Sequence, residues 1–296
     1  MGFIREDHLF RSKGIRCAAW LYRPHEVERP PLVVMAHGFG AERVFGLEPF
    51  AERFAGQGMA VFVFDYRCFG ASRGHPRDLV NPFRHLNDWK AALAYARGLP
   101  GVDAQRLALW GSSFSGGHAL VTAAREGGVR ALVAQVPFVD GAKTASYLGW
   151  RYTAEAVGHA LRDLARLFTF REPHYVPLVG EPGSFAVMNT PECLPGYLAL
   201  VPPGHPFRNA CPARVLLETV FYRPVSFARN VDCPVLVVMA ERDSIVNPAD
   251  VERTAARLPR GELLRLPTGH FDVYRGDFFE RVVEAETDFL RRELEF

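Results

Sequence analysis

The sequence predicts an α/β fold in which a mostly parallel central sheet is covered by helices on both faces. Short apolar runs alternate with amphipathic helical stretches along the chain, which is the order that βα units produce. The apolar runs are nearly continuous, as in strands that are buried on both faces. The chain has 296 residues, 48 % of them hydrophobic, which is enough to bury a core of this kind.

The first half of the chain supplies a hairpin and then regular strand–helix units. Residues 6–13 and 15–23 are predicted to pair as antiparallel strands that turn near Gly14. The strands expected after this hairpin are 31–36, 59–65, 106–110 and 129–136, and the helices are 47–57, 83–98 and 114–126.

The alternation breaks after residue 138 and resumes at residue 233. The elements predicted from there on are strand 233–240, helix 248–258, strand 262–266 and helix 276–293. Inside the interruption, a helix near 145–168 is predicted from one apolar stripe, which consists of Trp150, Ala154, Val157, Leu161, Leu164 and Phe168. We therefore expect residues 1–139 and 229–296 to form the core, and residues 140–228 to form a cap inserted after the strand at 129–136.

The strongest motif is L-A-L-W-G-S-S-F-S-G-G-H over residues 107–118, an apolar strand that enters a turn of small residues and then a helix. A nucleophilic serine stands on such a strained turn when the residues two before and two after it are small. Centring the turn on Ser113 puts Gly111 and Ser115 at those positions, whereas Ser112 as the centre would put bulky aromatic residues there. Ser113 is the predicted nucleophile and Ser115 the second candidate. An anion-binding turn at the helix N-terminus is the non-catalytic alternative.

A glycine-rich segment, H-G-F-G at residues 37–40, follows the first predicted parallel strand. Acyl transfer needs two N–H donors aimed at the charge that develops on the substrate carbonyl oxygen. We expect these donors to be the backbone N–H groups of Phe39 and of Phe114, the residue after the predicted nucleophile. Alone, H-G-x-G indicates only a glycine turn, and its place before the serine turn is what makes it a candidate oxyanion hole.

The predicted acid and base follow the last two strands of the sheet. The strand at 233–240 runs into E-R-D-S-I-V, which puts a carboxylate at the carboxyl edge of the sheet, where ligands bind. Asp243 is the predicted acid, with Glu241 and Asp140 as alternatives. His270, on the loop after the last strand, is the predicted base and completes the order Ser, Asp, His along the chain.

Together these residues resemble the α/β-hydrolase superfamily over residues 1–138 and 229–296. The resemblance is carried by H-G-F-G, D-Y-R-C-F-G-A-S at 65–72, G-S-S-F-S-G-G, A-E-R-D-S-I-V and G-H-F-D. The sequence departs from the family pattern at Ser115, which replaces the second glycine of G-x-S-x-G, and at Cys68, which takes a glycine position in a structural turn. The resemblance implies the α/β-hydrolase fold and a Ser–His–Asp triad.

A narrower resemblance lies partly in the predicted cap. The segments S-S-F-S-G-G-H, Y-V-P-L-V-G-E-P-G-S-F-A-V-M (175–188) and F-Y-R-P-V-S-F-A (221–228) are similar to hydrolases related to dienelactone hydrolases, and to fungal polyketide acyltransferases and thiohydrolases. This implies activity on a carboxylic ester or thioester of a small or medium acyl group.

The residues indicate a serine hydrolase that forms an acyl-enzyme and needs no metal or organic cofactor. An acyltransferase, in which an alcohol replaces water, uses the same residues and stays open, and a non-catalytic binding scaffold is the third hypothesis. Candidate substrate contacts are the cap residues Phe168, Tyr175, Phe185 and Met188, which are equally consistent with ordinary cap core.

Composition argues against other classes of protein. The net charge is +2 and no run of Lys or Arg occurs, so neither nucleic acid nor an anionic membrane is expected as a partner. No segment is apolar enough for a membrane span, and from the first residues, M-G-F-I-R-E-D-H, we expect no secretory signal. The five scattered cysteines form no C-x-x-C pair, which favours a reducing cytoplasm. We expect the apolar stripe in 145–168 to pack on the core, with a second subunit, and hence a homodimer, as the alternative.

Overall fold

The computed structural model of the protein describes residues 2–296. Its strands are β1 (Phe3–Ser12), β2 (Ile15–Pro24), β3 (Pro31–Ala36), β4 (Ala60–Phe64), β5 (Asp103–Ser112), β6 (Ala131–Gln135), β7 (Tyr175–Val176), β8 (Cys211–Pro212), β9 (Val235–Ala240) and β10 (Gly261–Leu266). Its α-helices are α1 (Glu48–Gly56), α2 (Pro82–Arg97), α3 (Phe114–Arg125), α4 (Gly141–Ser146), α5 (Trp150–Phe168), α6 (Cys193–Leu198), α7 (Val215–Glu218), α8 (Pro248–Ala255) and α9 (Gly276–Leu294).

Eight of the strands form one sheet in the order β1-β2-β4-β3-β5-β6-β9-β10. The hairpin of β1 and β2 turns at Gly14, whose φ of +80° suits glycine, and β2 pairs antiparallel with β4. The remaining five pairings are parallel. The prediction of a mostly parallel sheet is confirmed.

The two faces of the sheet bury separate apolar cores, which is why the strand sequences are apolar throughout. Every residue of β3, β4, β6 and β9 is buried. One face, with Val33 and Val61, packs against α1 and α9. The other face, with Val34 and Phe62, packs against α2 and α3. Strands enclosed in this way need apolar residues at consecutive positions.

The segment between β6 and β9 adds no strand to the eight-stranded sheet within the described residues. It contains α4 to α7 and a small antiparallel pair formed by β7 and β8. The single helix predicted near 145–168 is two helices, because Gly149 has an extended backbone and separates Ser146 from Trp150. Over residues 2–296, no helix combines the length and apolar character that crossing a membrane requires.

The apolar stripe of α5 faces solvent, so the expectation that it packs on the core is wrong. Trp150, Leu161 and Phe168 are 76 %, 55 % and 77 % exposed. The buried face of α5 instead carries Asp163, whose carboxylate accepts hydrogen bonds from the buried Arg214 guanidinium at 2.7 and 3.1 Å. A buried carboxylate is stable only with such partners, so the Asp163 side of the helix must face the interior where Arg214 lies.

Candidate active site

The turn between β5 and α3 carries Ser113. Its φ of +57° and ψ of −122° lie in a region that non-glycine residues rarely adopt. A Cβ atom on Gly111 would lie 2.3 Å from the Ser115 carbonyl oxygen, so the position two residues before Ser113 has room only for glycine. The strained turn expected from the small residues is therefore present.

The two other serines of the turn, Ser112 and Ser115, form hydrogen bonds with residues other than His270. The buried Ser112 hydroxyl lies 2.5 Å from the Tyr274 hydroxyl and accepts a hydrogen bond from the Gln135 amide at 2.9 Å. The Ser115 hydroxyl is buried and lies 2.9 Å from the Tyr66 hydroxyl. Ser115, the second candidate nucleophile, thus bonds to Tyr66 and not to the predicted base, His270.

The structure brings Ser113, Asp243 and His270 together at the carboxyl edge of the sheet. The His270 Nε2 atom lies 3.0 Å from the Ser113 Oγ, and its Nδ1 atom lies 2.6 Å from the Asp243 carboxylate. The other oxygen of Asp243 accepts the backbone N–H groups of Ile245 and Val246, both at 2.8 Å. These bonds fix the carboxylate so that it can orient the imidazole.

The environment of His270 favours its charged form. Burial alone disfavours the imidazolium, but the charge and hydrogen bond of Asp243, together with the charge of Glu192, outweigh burial and raise the His270 pKa above its usual value. A raised pKa makes the neutral imidazole a stronger acceptor for the serine proton.

The alternative acids lie elsewhere. Glu241 is exposed to solvent. Asp140 accepts two hydrogen bonds from the Arg223 guanidinium at 2.9 Å and caps α4 through the Lys143 N–H. Neither carboxylate is bonded to His270, whose carboxylate partner is Asp243.

The H-G-F-G loop lies against the serine turn. A Cβ atom on Gly38 would lie 3.1 Å from the Ser113 Cβ, and the Phe39 and Phe114 rings meet edge to face at 5.1 Å. Among residues 2–296, the N–H groups of Phe39 and Phe114 have no acceptor. Both predicted oxyanion donors are therefore next to Ser113 and available to a ligand.

A cavity of about 190 Å³ opens beside Ser113, between the serine turn and the 140–228 segment. Its apolar lining comes from both sides and includes Phe39, Phe114, Phe138, Leu148, Tyr152, Ala156, Val187, Met188, Leu216, Ile245 and Val246. The polar side chains in the lining are neutral, and none of the lining residues identified within residues 2–296 carries a charge. Such a cavity suits an uncharged, mainly apolar group.

Of the four predicted substrate contacts, only Met188 lines this cavity. Phe168 is exposed at the end of α5, and the Tyr175 hydroxyl donates to the Arg77 carbonyl oxygen at 3.2 Å. Phe185 stacks on Tyr152, with ring centroids 5.3 Å apart. These three aromatic side chains have structural contacts or solvent around them instead of the cavity.

Sequence reasoning missed several residues of the site. Leu148 and Tyr152 line the cavity from the 140–228 segment, and no local motif marks them. Ile245 also lines the cavity. Its position two residues after the predicted acid, Asp243, is a sequence signal from which this role could be predicted. Glu192 is also absent from the sequence-based predictions. Its carboxylate accepts the backbone N–H of His270 at 2.7 Å, a contact between residues that are distant in the sequence.

Comparison with known proteins gives one consistent result. Residues 28–172 match the family model described as serine aminopeptidase, S33. The chain is 41 % identical over 286 residues to the quorum-quenching protein AidA of Acinetobacter baumannii. This alignment covers 97 % of this chain and 94 % of that protein. It is 29 % identical over 299 residues to the polyketide transferase af380 of Aspergillus fumigatus, with 99 % of each chain covered.

Comparison with solved structures also finds a protein that is similar to this chain over its whole length. The crystal structure of the α/β hydrolase GrgF from Penicillium sp. sh18 superposes with a TM-score of 0.84 at 26 % identity, covering 99 % of this chain and 100 % of that one. The likeness therefore extends over the whole chain, including the segment between β6 and β9.

Proposed function

This chain belongs to the α/β-hydrolase family of enzymes, and we propose that it is a serine hydrolase that cleaves carboxylic esters or thioesters through an acyl-enzyme on Ser113. One observation carries the proposal: His270 is hydrogen-bonded to Ser113 at 3.0 Å and to Asp243 at 2.6 Å. This is the arrangement in which an imidazole activates a hydroxyl and a carboxylate holds the imidazole tautomer.

The proposed reaction has two steps. His270 Nε2 accepts the Ser113 proton as the Oγ attacks the substrate carbonyl, and the Phe39 and Phe114 N–H groups stabilise the oxyanion. The carbon–oxygen or carbon–sulfur bond of the substrate then breaks, and the imidazolium gives its proton to the leaving alcohol or thiol. A water molecule, deprotonated by His270, attacks the acyl-enzyme, and the acid departs as Ser113 recovers its proton. Every proton transfer runs through residues of this chain, and no step calls on a metal or an organic cofactor.

We propose that residues 140–228 act as a cap that forms part of the acyl pocket. The cavity beside Ser113 has Leu148 and Met188 on the cap side and Phe114 and Ile245 on the core side. Its uncharged, apolar lining supports an apolar acyl group as the part of the substrate that it holds.

An acyltransferase is the second candidate function. The likeness to the Aspergillus polyketide transferase favours it, because the same acyl-enzyme can pass its acyl group to an alcohol instead of water. The two functions differ in how well the cap excludes water from the acyl-enzyme.

We also propose that the protein works in a reducing compartment such as the cytoplasm. Its five cysteines are free and buried. Burial raises the pKa of Cys17 to about 12 and that of Cys233 to about 11, so these thiols stay protonated and unreactive.

The test combines active-site labelling with product analysis. A fluorophosphonate probe should label the protein at Ser113, and labelling should disappear in Ser113→Ala. A panel of p-nitrophenyl esters of rising chain length and acyl thioesters, each with and without added alcohols, then separates hydrolysis from transfer by mass spectrometry of the products. A correctly folded wild-type protein that is neither labelled nor active on any member of the panel contradicts the proposal.

A further inference from the structure

We propose that Glu192 is a positioning residue that holds the acid loop (residues 241–247) and the base loop (residues 267–275) in their working arrangement. The inference rests on the proposed function, since it assigns a role to Glu192 in the same reaction. Glu192 lies in the cap segment at the start of α6, and it touches neither the Ser113 hydroxyl nor the imidazole ring.

The Glu192 carboxylate bonds to both loops at once. Its Oε2 atom accepts the backbone N–H of His270 at 2.7 Å. Its Oε1 atom accepts the backbone N–H of Ser244 at 2.7 Å and the Ser244 hydroxyl at 2.6 Å. Ser244 directly follows Asp243, so one side chain is bonded to the backbone on both sides of the Asp243–His270 contact. Bonds from N–H groups to a carboxylate are charge-assisted and shorter and stronger than neutral ones.

The glycine before His270 makes room for this carboxylate. A Cβ atom on Gly269 would lie 2.5 Å from Glu192 Oε2, closer than real Cβ atoms approach. With a side chain at position 269, the end of the Glu192 side chain would have to shift from the place where it accepts the His270 N–H. The glycine in G-H-F-D is therefore explained by the close approach of Glu192, in addition to the flexibility of a loop.

The charge of Glu192 also reaches the imidazole. The charged groups around His270 are Asp243 on the acid loop, Glu192 on the cap, and Asp272 on its own loop, which accepts the Gly269 N–H and lies near Arg242 and Arg275. Burial disfavours the imidazolium, and Asp243 and Glu192 together raise the His270 pKa against it. Removing the charge of Glu192 should lower this pKa while leaving the Asp243 bond in place.

The experiment compares Glu192→Gln and Glu192→Ala with Glu181→Gln, an exposed glutamate of the same segment. In Glu192→Gln the amide group places a donor opposite one of the N–H groups, so one bond is lost together with the charge. We expect kcat on the best p-nitrophenyl ester to fall about tenfold in Glu192→Gln and further in Glu192→Ala, with KM little changed. This is the scale of loss known for outer groups that orient metal ligands. The acid limb of the kcat profile should move to lower pH in both variants. Glu181→Gln should match the wild type.

The outcomes separate this inference from the proposed function. Thermal melts show whether each variant is folded, and NMR titration of the His270 ring reports its pKa without turnover. A wild-type kcat and an unmoved His270 titration in folded Glu192→Gln would overturn the inference while leaving Ser113 chemistry intact. Loss of activity without any change in the His270 titration also overturns it, because the role would then be purely structural. A wild-type protein without esterase activity or labelling would instead reject the proposed function.

The exposed face of α5 carries a second inference: we propose that it pairs with the same face of a second copy of this chain. Trp150, Ala154, Val157, Leu161, Leu164 and Phe168 are spaced by 4, 3, 4, 3 and 4 residues, an order that reads the same from either end. Two such helices related by a two-fold axis near position 159 would run antiparallel. Trp150 would then lie opposite Phe168, Val157 opposite Leu161, and the small Ala154 opposite Leu164. A self-complementary patch is what a two-fold dimer requires.

The size of the face fits this partner. Trp150 and Phe168, the two ends of the stripe, are 76 % and 77 % exposed. With ring side chains of roughly 150–250 Å² each, these two alone offer on the order of 300 Å² of apolar surface. Val157 and Leu161 add to this, towards the roughly 800 Å² that each partner buries in a standard interface.

Light scattering after size exclusion tests the pairing. We expect a dimer for the wild type, a folded monomer for Leu161→Glu, and a dimer for Leu9→Glu, which changes an exposed leucine on the edge strand β1. A wild type that remains monomeric at about 100 µM, a concentration well above a micromolar Kd, would overturn the proposal. A dimer that survives Leu161→Glu, or a monomer that binds phosphatidylglycerol vesicles through α5, would overturn it as well.

Discussion

The Nε2 atom of His270 lies 3.0 Å from the Oγ of Ser113, although 157 residues separate them along the chain. The contact depends on sheet topology, because β5, β6, β9 and β10 are neighbours and run parallel. Their carboxyl ends open at one edge, and the loops that leave that edge meet there. The strand order therefore creates a site from residues that are remote in sequence.

Replacing Ser113 by Ala should lower kcat for ester hydrolysis by on the order of a million-fold, as in other enzymes with this arrangement. The reason is that the imidazole would have no hydroxyl to activate. Stopped-flow or long-time-course assays with a p-nitrophenyl ester measure the loss. Ser115→Ala is the matched control: it removes only the 2.9 Å contact with Tyr66 and should keep most of the activity. The reverse pattern would move the nucleophile to Ser115.

Much of the site could be predicted from sequence because its parts are local. The serine turn, the glycine loop and the residues after β9 and β10 each follow a buried strand, and each residue type is dictated by its chemistry. The cavity could not be predicted, since Leu148 and Tyr152 reach it only through the way the 140–228 segment folds over the core.

The orientation of α5 could not be predicted from the sequence either. Helical periodicity in the sequence revealed an apolar stripe but not the direction in which it points. The structure places Asp163 on the buried side of the helix, paired with Arg214, which is 51 residues away. A charged residue on the polar face of a helix indicates a solvated face unless its distant partner is known, so periodicity alone predicts that the stripe packs on the core.

The acid limb of the pH profile of kcat/KM should lie above pH 6.5, the ordinary value for histidine. The base must be neutral to accept the serine proton, and Asp243 and Glu192 raise the His270 pKa against the effect of burial. Activity should therefore rise with pH through this elevated pKa. In Asp243→Asn the limb should move to lower pH, and kcat should fall about 10⁴-fold because the tautomer is no longer fixed. An acid limb at the same pH in both proteins would show that another group controls it.

Replacing Gly38 by Ala should lower kcat about 10²-fold with a smaller effect on KM, as expected for the loss of one oxyanion donor. The new Cβ would lie 3.1 Å from the Ser113 Cβ and 3.3 Å from the Ser112 carbonyl oxygen, so the loop must shift by a few tenths of an ångström, and we expect this shift to misalign the Phe39 N–H. Steady-state kinetics on one activated ester measures the effect. Gly127→Ala is the control, since its Cβ would meet nothing within 4 Å. Equal activity in both variants would remove Phe39 from the oxyanion hole.

Filling the cavity from α5 should shorten the acyl groups that the enzyme accepts. Ala156 is buried and lines the cavity, so Ala156→Leu places extra carbon atoms where the acyl chain is expected. We expect kcat/KM to fall about 10-fold or more for long-chain p-nitrophenyl esters, in line with the energy of one or two excluded methylene groups, and to change little for acetate. Phe168→Ala, at an exposed position outside the cavity, should leave the chain-length profile unchanged. A parallel loss for all chain lengths would place the acyl chain elsewhere.

Replacing Glu286 by Gln should stabilise the protein at alkaline pH. The Glu286 carboxyl is buried against Trp110, whose indole N–H donates to it at 2.9 Å, and burial raises its pKa to about 8 against the effect of that bond. The unfolded chain releases this proton near pH 4.3, so the stability that the protonated group contributes is present below about pH 4 and is lost as the pH rises towards 8. Gln keeps an acceptor for Trp110 and cannot ionise. Thermal melts should show a higher Tm for Glu286→Gln than for the wild type near pH 9, and a much smaller difference near pH 5. The control is Glu284→Gln, at an exposed position on the same helix, which should have the Tm of the wild type at both pH values. An equal Tm difference at the two pH values would mean that Glu286 keeps its charge in the folded protein.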